Sequence, residues 1–174
     1  MPTPSQSPQK SRFSVPAGVA VWVGAMGLTL TAACGDTKTG DGGNALLLKV
    51  QDMDYSSWER APGYPGIADS DAPHGGYVEI YINEVVAAAL VPPAEGEALT
   101  EWPVGSIIVK DGWEDAEGSD RSILAIMEKR EGGWYYEEYV GTNEDSPKFA
   151  GDRISTCMGC HSSGADFVRA FGFP

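Results

Sequence analysis

Basic residues are scarce in this sequence. Its 174 residues include 12 lysines and arginines against 25 aspartates and glutamates, which gives a formal net charge of −13 at pH 7. A chain this acidic should repel nucleic acid and anionic lipid surfaces, and nucleic acid is therefore excluded as a partner. A basic partner is compatible with the charge, although an acidic surface more often serves solubility alone. The sequence also lacks any internal repeat.

Cysteine and histidine are scarce as well, with 3 and 2 copies. Three of these residues nevertheless stand together, in the motif Cys157-Met158-Gly159-Cys160-His161. This C-x-x-C-H pattern is the attachment signature of a c-type haem, in which two thiols add to the vinyl groups of one haem and the histidine binds the iron. We therefore predict one covalently bound haem c per chain, attached through Cys157 and Cys160, with His161 as the iron ligand.

Two other chemistries share the C-x-x-C spacing. A redox-active dithiol usually accompanies a βαβ pattern, which this sequence lacks. Half of a zinc site would need two further ligands, and only His74 and Cys34 remain. The motif therefore favours haem over both.

Residues 1–33 have the pattern of an export signal. Lys10 and Arg12 precede an apolar stretch over residues 19–30, which is short for a membrane-spanning helix. Small residues then stand directly before Cys34, as in the lipobox of bacterial lipoproteins. This pattern predicts a removed signal peptide and a lipidated Cys34; the alternative is an ordinary signal peptide whose removal leaves a free thiol.

The residues after Cys34 indicate a location and a domain boundary. Residues 34–43 are rich in Gly, Asp and Thr and should form a flexible tether to one domain over residues 44–174. Gly35 follows the cysteine where an acidic residue would favour the inner membrane. We therefore expect an outer-membrane anchor with the domain in the bacterial periplasm, where haem c is attached.

Hydrophobic periodicity predicts an α+β fold, mainly an antiparallel β-sheet with a few short helices around one haem. Alternating apolar and polar residues predict four strands, at residues 77–83, 106–110, 122–129 and 134–140. The last two flank Glu131-Gly132-Gly133 and should form a hairpin. Helical spacing predicts short helices beginning near residue 46, at 84–91, and as a closing element at 165–171.

Several segments in order resemble the cytochrome P-460 family, which includes the cytochromes c′-beta. The resemblance covers about 100 residues from His74 onward. Its segments are His74 to Asn83, Trp102 to Lys110, Ile126 to Lys129 with Gly133 to Tyr136, and Cys157 to His161 followed by Asp166-Phe167-Val168. The resemblance implies a mostly antiparallel β fold with a five-coordinate haem, often in a homodimer.

Lys110 matches the lysine that hydroxylamine-oxidising members link covalently to a meso carbon of the porphyrin. Strand alternation places Ser106, Ile108 and Lys110 on one face. Such a bond needs an unprotonated amine, which burial against a haem would favour. The alternative is a lysine at the end of its strand that extends to water, because Asp111-Gly112 follows at once.

Oxidation of hydroxylamine also releases protons, so a carboxylate near the haem would assist it. By analogy with the acid that active members place shortly before the haem motif, Asp152 is the first candidate. Glu128, Glu137 and Glu138 are competitors, and any of the four is more often a solvated surface group.

Other side chains are possible sixth ligands or haem contacts. His74 or Met127 would give a six-coordinate electron carrier, although a loop role for His74 and a core role for Met127 are the simpler interpretations. Met158 is badly placed to reach the iron. Trp134, Tyr136 and Phe149 are candidates for the haem wall or for the core.

Three functions are compatible with these residues. The first is a haem-dependent oxidoreductase that oxidises hydroxylamine or handles related nitrogen oxides, with Lys110 cross-linked and Asp152 accepting a proton. The second is a c′-beta-like protein that binds nitric oxide or carbon monoxide without turnover. The third is a six-coordinate electron-transfer cytochrome. The partners would be a small nitrogenous substrate or a diatomic gas, a periplasmic electron acceptor and a second copy of the chain.

Overall fold

The computed structural model of the protein describes residues 43–92 and 98–174. The predicted signal peptide over residues 1–33, Cys34 and all of the tether except its last residue lie outside these ranges. Within them, none of the helices combines the length and the apolar character needed to cross a membrane.

The described residues form one antiparallel sheet with short helices, as the sequence predicts. Its seven strands are β1 (Glu59–Arg60), β2 (Ala68–Asp69), β3 (Tyr77–Ile82), β4 (Ile107–Trp113), β5 (Arg121–Arg130), β6 (Gly133–Val140) and β7 (Phe149–Asp152). They are ordered β1-β3-β4-β5-β6-β7, and β2 also pairs with β3. The helices are α1 (Ala45–Asp52), α2 (Glu84–Ala89) and α3 (Ser155–His161), with a 3-10 turn at Tyr55–Ser57.

The sheet has two buried faces because successive side chains of a strand point to opposite sides. One face carries Ile80, Ile108, Met127 and Tyr136, and the chain segment that contains α3 packs over it. Residues of the other face include Tyr81, Val109, Leu124 and Tyr139, which pack against Leu46, Leu47 and Val50 of α1. We call the first face the cavity face and the second the α1 face.

Two sequence-based predictions fail in detail. The predicted strand over residues 106–110 continues to Trp113, so Lys110 lies inside β4 and not at its end. The predicted closing helix over residues 165–171 does not form, because Asp166 and Phe167 have φ angles of 42° and 66°, in the left-handed region. Ala165 and Val168 instead form an isolated antiparallel bridge.

Asn83 joins the end of β3 to two other segments. Its buried side chain accepts hydrogen bonds from the backbone N–H of Val86 in α2, at 3.2 Å, and of Ile107 in β4, at 3.0 Å. Its amide donates to the carbonyl of Gly105 at 2.8 Å. One side chain therefore caps α2 and fixes where β4 begins.

We predict that Asn83→Ala lowers the free energy of unfolding by about 2–4 kcal/mol, because it leaves buried backbone groups without partners. Chemical denaturation checks this value. The control is Asn143→Ala, whose exposed side chain makes one local hydrogen bond and whose removal should cost less than about 0.5 kcal/mol. Equal losses in the two variants would contradict the assigned role of Asn83.

Candidate functional site

A cavity of about 600 Å³ lies between the cavity face of the sheet and the segment that contains α3. This volume is within the usual range for sites that hold a small molecule or a cofactor. Its walls bring together most of the residues that the sequence singles out: His74, Lys110, Glu138, Cys157, Cys160 and His161.

Helix α3 aims both cysteines and the histidine into this cavity. Residues three and four apart share one face of a helix, so Cys157, Cys160 and His161 all line the same wall. The two thiols are free. Burial, and then the nearby Glu138 carboxylate, raise the pKa of Cys157 to about 11. Redox-active C-x-x-C motifs instead have a lowered thiol pKa, so this environment does not fit a dithiol catalyst.

The His161 ring is held in one orientation by the backbone. Its Nδ1 lies 2.8 Å from the carbonyl oxygen of Phe167, and since that oxygen can only accept, Nδ1 is the donor. Burial lowers the pKa of His161, which favours the neutral imidazole. Nε2 is then left with a free lone pair, as an iron ligand requires.

Lys110 lies in the middle of the cavity face. In the sheet register it stands between Ile80 of β3 and Ala125 of β5. Burial, and then the Arg169 guanidinium, lower the pKa of Lys110. Among the described residues no carboxylate forms an ion pair with its amine. Because β4 continues for three residues after Lys110, the alternative of a lysine at the end of its strand is wrong.

The acidic residues that line the cavity include Asp69 and Asp71, which are exposed, and Glu138, which is buried. Lys110 of β4 pairs with Ala125 of β5, and Ala125 pairs with Glu138 of β6. All three residues line the cavity, and only the short side chain of Ala125 stands between Lys110 and Glu138 along the sheet. Glu138 is 3.2 Å from Nδ1 of His74, although not in line for a hydrogen bond, and 3.7 Å from Nζ of Lys148. Burial opposes ionisation of Glu138, but these two groups outweigh it and its pKa is lowered.

Asp152 does not reach the cavity, which corrects its assignment as the proton acceptor. It is exposed at the end of β7, where its register partner is Tyr135 of the α1 face. Closeness to the haem motif in sequence therefore does not bring this side chain to the site. Among the competitors, Glu137 bonds to the backbone of α1 and Glu128 pairs with Lys49 of α1, both on the α1 face.

His74 reaches the cavity because a glycine lies beneath its loop. A Cβ atom at Gly112 of β4 would stand 1.7 Å from the carbonyl oxygen of His74, so only glycine permits the loop to lie on the sheet. The His161 ring centroid is 6.2 Å from that of His74 and 5.8 Å from that of Tyr136. Met127 and Phe149 also line the cavity, whereas Trp134 belongs to the core.

The family model described as Cytochrome P460 matches residues 53–168, which is more than half of the chain. The chain belongs to the cytochrome P460 family. No curated protein and no solved structure matches it significantly. Cytochrome P460 proteins bind haem c, so this chain is a c-type haem protein with the α+β fold that its sequence predicts.

The cavity of this cytochrome P460 protein fits a haem. Apolar side chains of the sheet line one wall, the two cysteines of α3 line another, and the Nδ1 hydrogen bond leaves Nε2 of His161 available. The buried hydroxyl of Tyr136 has no hydrogen-bond partner among the described residues. A buried hydroxyl left unpaired is costly, so its position beside the cavity is consistent with a partner on a bound group.

Arg169 is a cavity residue that sequence reasoning missed. Its guanidinium is close enough to affect the pKa of both Lys110 and His161. A single arginine after an apolar segment has no distinguishing pattern, so no signal in the sequence marks it.

Proposed function

We propose that this protein is an exported mono-haem cytochrome that oxidises hydroxylamine or handles related nitrogen oxides. Cys157 and Cys160 would hold haem c through thioether bonds, His161 would bind its iron, and Lys110 would be cross-linked to the porphyrin. When bound, this haem supplies the redox chemistry, and the chain supplies orientation and proton transfer. The observation that carries the proposal is Lys110, a half-buried lysine inside a strand that lines the same cavity as the haem motif.

Three features of Lys110 support the cross-link. Burial lowers its pKa, which raises the fraction of unprotonated amine that can form a bond. The described residues offer it no carboxylate, so the amine is not held in an ion pair. The strand fixes its Cα rigidly. The link would replace an amine N–H and a ring C–H with a C–N bond, and the two electrons and two protons released would have to pass to an external oxidant such as hydrogen peroxide, which becomes water.

Glu138 is our proposed proton acceptor. Its lowered pKa keeps it ionised at neutral pH, and His74 and Lys148 hold the carboxylate at the cavity wall. A carboxylate there can take a proton from the N–H or O–H of a small substrate. A protein that only binds gases would have an apolar pocket. The charged groups Glu138 and Lys148 in this cavity therefore favour turnover of a substrate over gas binding.

The geometry of His74 favours one second candidate, a six-coordinate electron carrier. The carboxylate of Glu138 lies against Nδ1, which leaves Nε2 available, and the ring is 6.2 Å from that of His161 in the same cavity. The negative charge of Glu138 beside Nδ1 would also increase the basicity of the His74 ring.

Location and partners remain proposals from the sequence. We propose a lipid anchor on Cys34, a periplasmic location at the outer membrane, a periplasmic electron acceptor and a homodimer. The C-x-x-C-H motif supports export, because covalent attachment of haem c takes place outside the bacterial cytoplasm.

Lys110→Ala should abolish the cross-link and leave haem attached through the cysteines. Mass spectrometry of tryptic haem peptides tests this result. The wild-type haem should join the segment of Lys110 to the segment of Cys157 and Cys160, and trypsin should not cleave after the modified lysine. Lys148→Ala removes another lysine of the cavity and should retain the link. A wild-type haem peptide without the Lys110 segment would contradict the cross-link.

Glu138→Gln should lower hydroxylamine turnover about 100-fold or more, because general-base assistance is typically worth that much. The absorption spectrum should keep its shape, since the link to Lys110 remains. Asp152→Asn is the matched control: it neutralises an exposed carboxylate of β7 and should leave turnover unchanged. If Asp152→Asn causes the loss and Glu138→Gln does not, the assignment to Glu138 is wrong.

His74→Ala separates the two candidate functions. With five-coordinate iron, the wild-type protein should be high-spin, and the variant should keep that spin state. A low-spin wild-type protein that becomes high-spin in His74→Ala would instead support the electron carrier. Electron paramagnetic resonance of the ferric protein measures this difference, with Met127→Leu as the control for the other possible sixth ligand.

A further inference from the structure

Three side chains from separate parts of the chain converge on the loop that follows α3. This loop, residues 164–168, receives hydrogen bonds from Trp102, which precedes β4, from Lys129 of β5 and from Trp134 of β6. All three belong to segments that the sequence analysis singled out, and none of them lines the cavity close to His161. The function proposed above gives them no role.

Asp166 is the centre of these contacts. Its carboxylate accepts hydrogen bonds from Nζ of Lys129 at 2.7 Å and from the backbone N–H of Trp102 at 2.8 Å. Its own carbonyl accepts from the indole of Trp134 at 2.8 Å, and the carbonyl of Ala165 accepts from the indole of Trp102 at 3.0 Å. The loop is therefore held both through the side chain of Asp166 and through its backbone carbonyls.

These contacts hold a backbone conformation that is unfavourable by itself. Asp166 and Phe167 both have positive φ, and such residues persist only where the surrounding structure determines them. The consequence is a direction for the Phe167 carbonyl, which accepts the hydrogen bond from Nδ1 of His161 at 2.8 Å.

The ion pair between Lys129 and Asp166 is shielded from solvent. Their side chains are 8% and 11% exposed, whereas Glu101, the other carboxylate near Lys129, lies 3.5 Å away and is 74% exposed. Buried ion pairs are weak evidence for stability, but they do restrict geometry. Lys129 is thus the partner that holds the Asp166 carboxylate in a defined place.

We infer that Asp166, held by Lys129, is a positioning residue for the axial histidine. By fixing the Phe167 carbonyl it strengthens the hydrogen bond from His161, increases the basicity of that imidazole and stabilises ferric over ferrous iron. The inference rests on the proposed role of His161 as the iron ligand. Trp102, Lys129 and Trp134 do not line the cavity, so they would influence the reduction potential through the position of His161 and not through contact with the haem.

The test is the haem-loaded Asp166→Asn variant. Asparagine keeps an oxygen for Trp102 but loses the charge that Lys129 needs. The iron–histidine stretching band of the reduced protein, measured by resonance Raman spectroscopy, should move to lower frequency. The preference for ferric over ferrous iron should fall about tenfold, which raises the reduction potential by about 59 mV.

Glu101→Gln is the matched control, because it removes a carboxylate from the same lysine without touching the loop. It should leave both the band and the potential unchanged. If Asp166→Asn does not fold, Lys129→Met should move both quantities in the same direction, and Lys129→Arg should restore most of each.

The outcomes separate this inference from the proposed function. A five-coordinate ferrous wild-type haem without an iron–histidine band would refute the role of His161. A normal wild-type band that neither Asp166→Asn nor Lys129→Met changes would refute the positioning role alone. Equal shifts in Glu101→Gln and Asp166→Asn would also overturn it, since they would indicate a general effect of charge.

Discussion

The period-two alternation of side chains in an antiparallel sheet is the constraint on which the rest of this structure depends. It separates neighbouring residues of one strand into two environments. Lys110 lines the cavity, while Asp111 beside it bonds to Tyr55 on the α1 face. Glu138 lines the cavity, while the side chain of Glu137 is bonded on the α1 face. A shift of one residue in any of these strands would exchange the chemistry of the two faces.

The α1 face shows how the fold tolerates so many buried acids. Glu137 is 1% exposed, and its carboxylate accepts hydrogen bonds from the backbone N–H groups of Leu46 and Leu47 at the start of α1. The hydroxyl of Tyr139 donates a further bond at 2.7 Å. A helix N-terminus carries a partial positive charge, so this pairing offsets the cost of burying the carboxylate. It also attaches α1 to β6, the strand that presents Glu138 to the cavity.

The sequence predicts those parts of the fold that depend on local pattern. Alternation over residues 77–83 and 134–140 marks β3 and β6, and it places Lys110 on the correct face. The strands β1, β2 and β7 have two to four residues each, too few for a period to be recognised. Local spacing predicts a helix where the loop of Asp166 forms, because the long-range hydrogen bonds that hold its positive φ angles leave no local pattern. The sequence also does not show which face of the sheet Asp152 occupies, because that face depends on the pairing of β7 with β6 in the folded sheet.

We propose that Lys110, a half-buried lysine on one face of the sheet, modifies the haem held by the opposite wall of the cavity. The most direct measurement is the optical spectrum of the dithionite-reduced protein, produced with haem maturation machinery. Our account predicts a Soret band that is strongly red-shifted and broadened, because a bond at a meso carbon disturbs the conjugation of the ring. An ordinary Soret band of five-coordinate haem would contradict it and would favour a protein that binds diatomic gases without turnover.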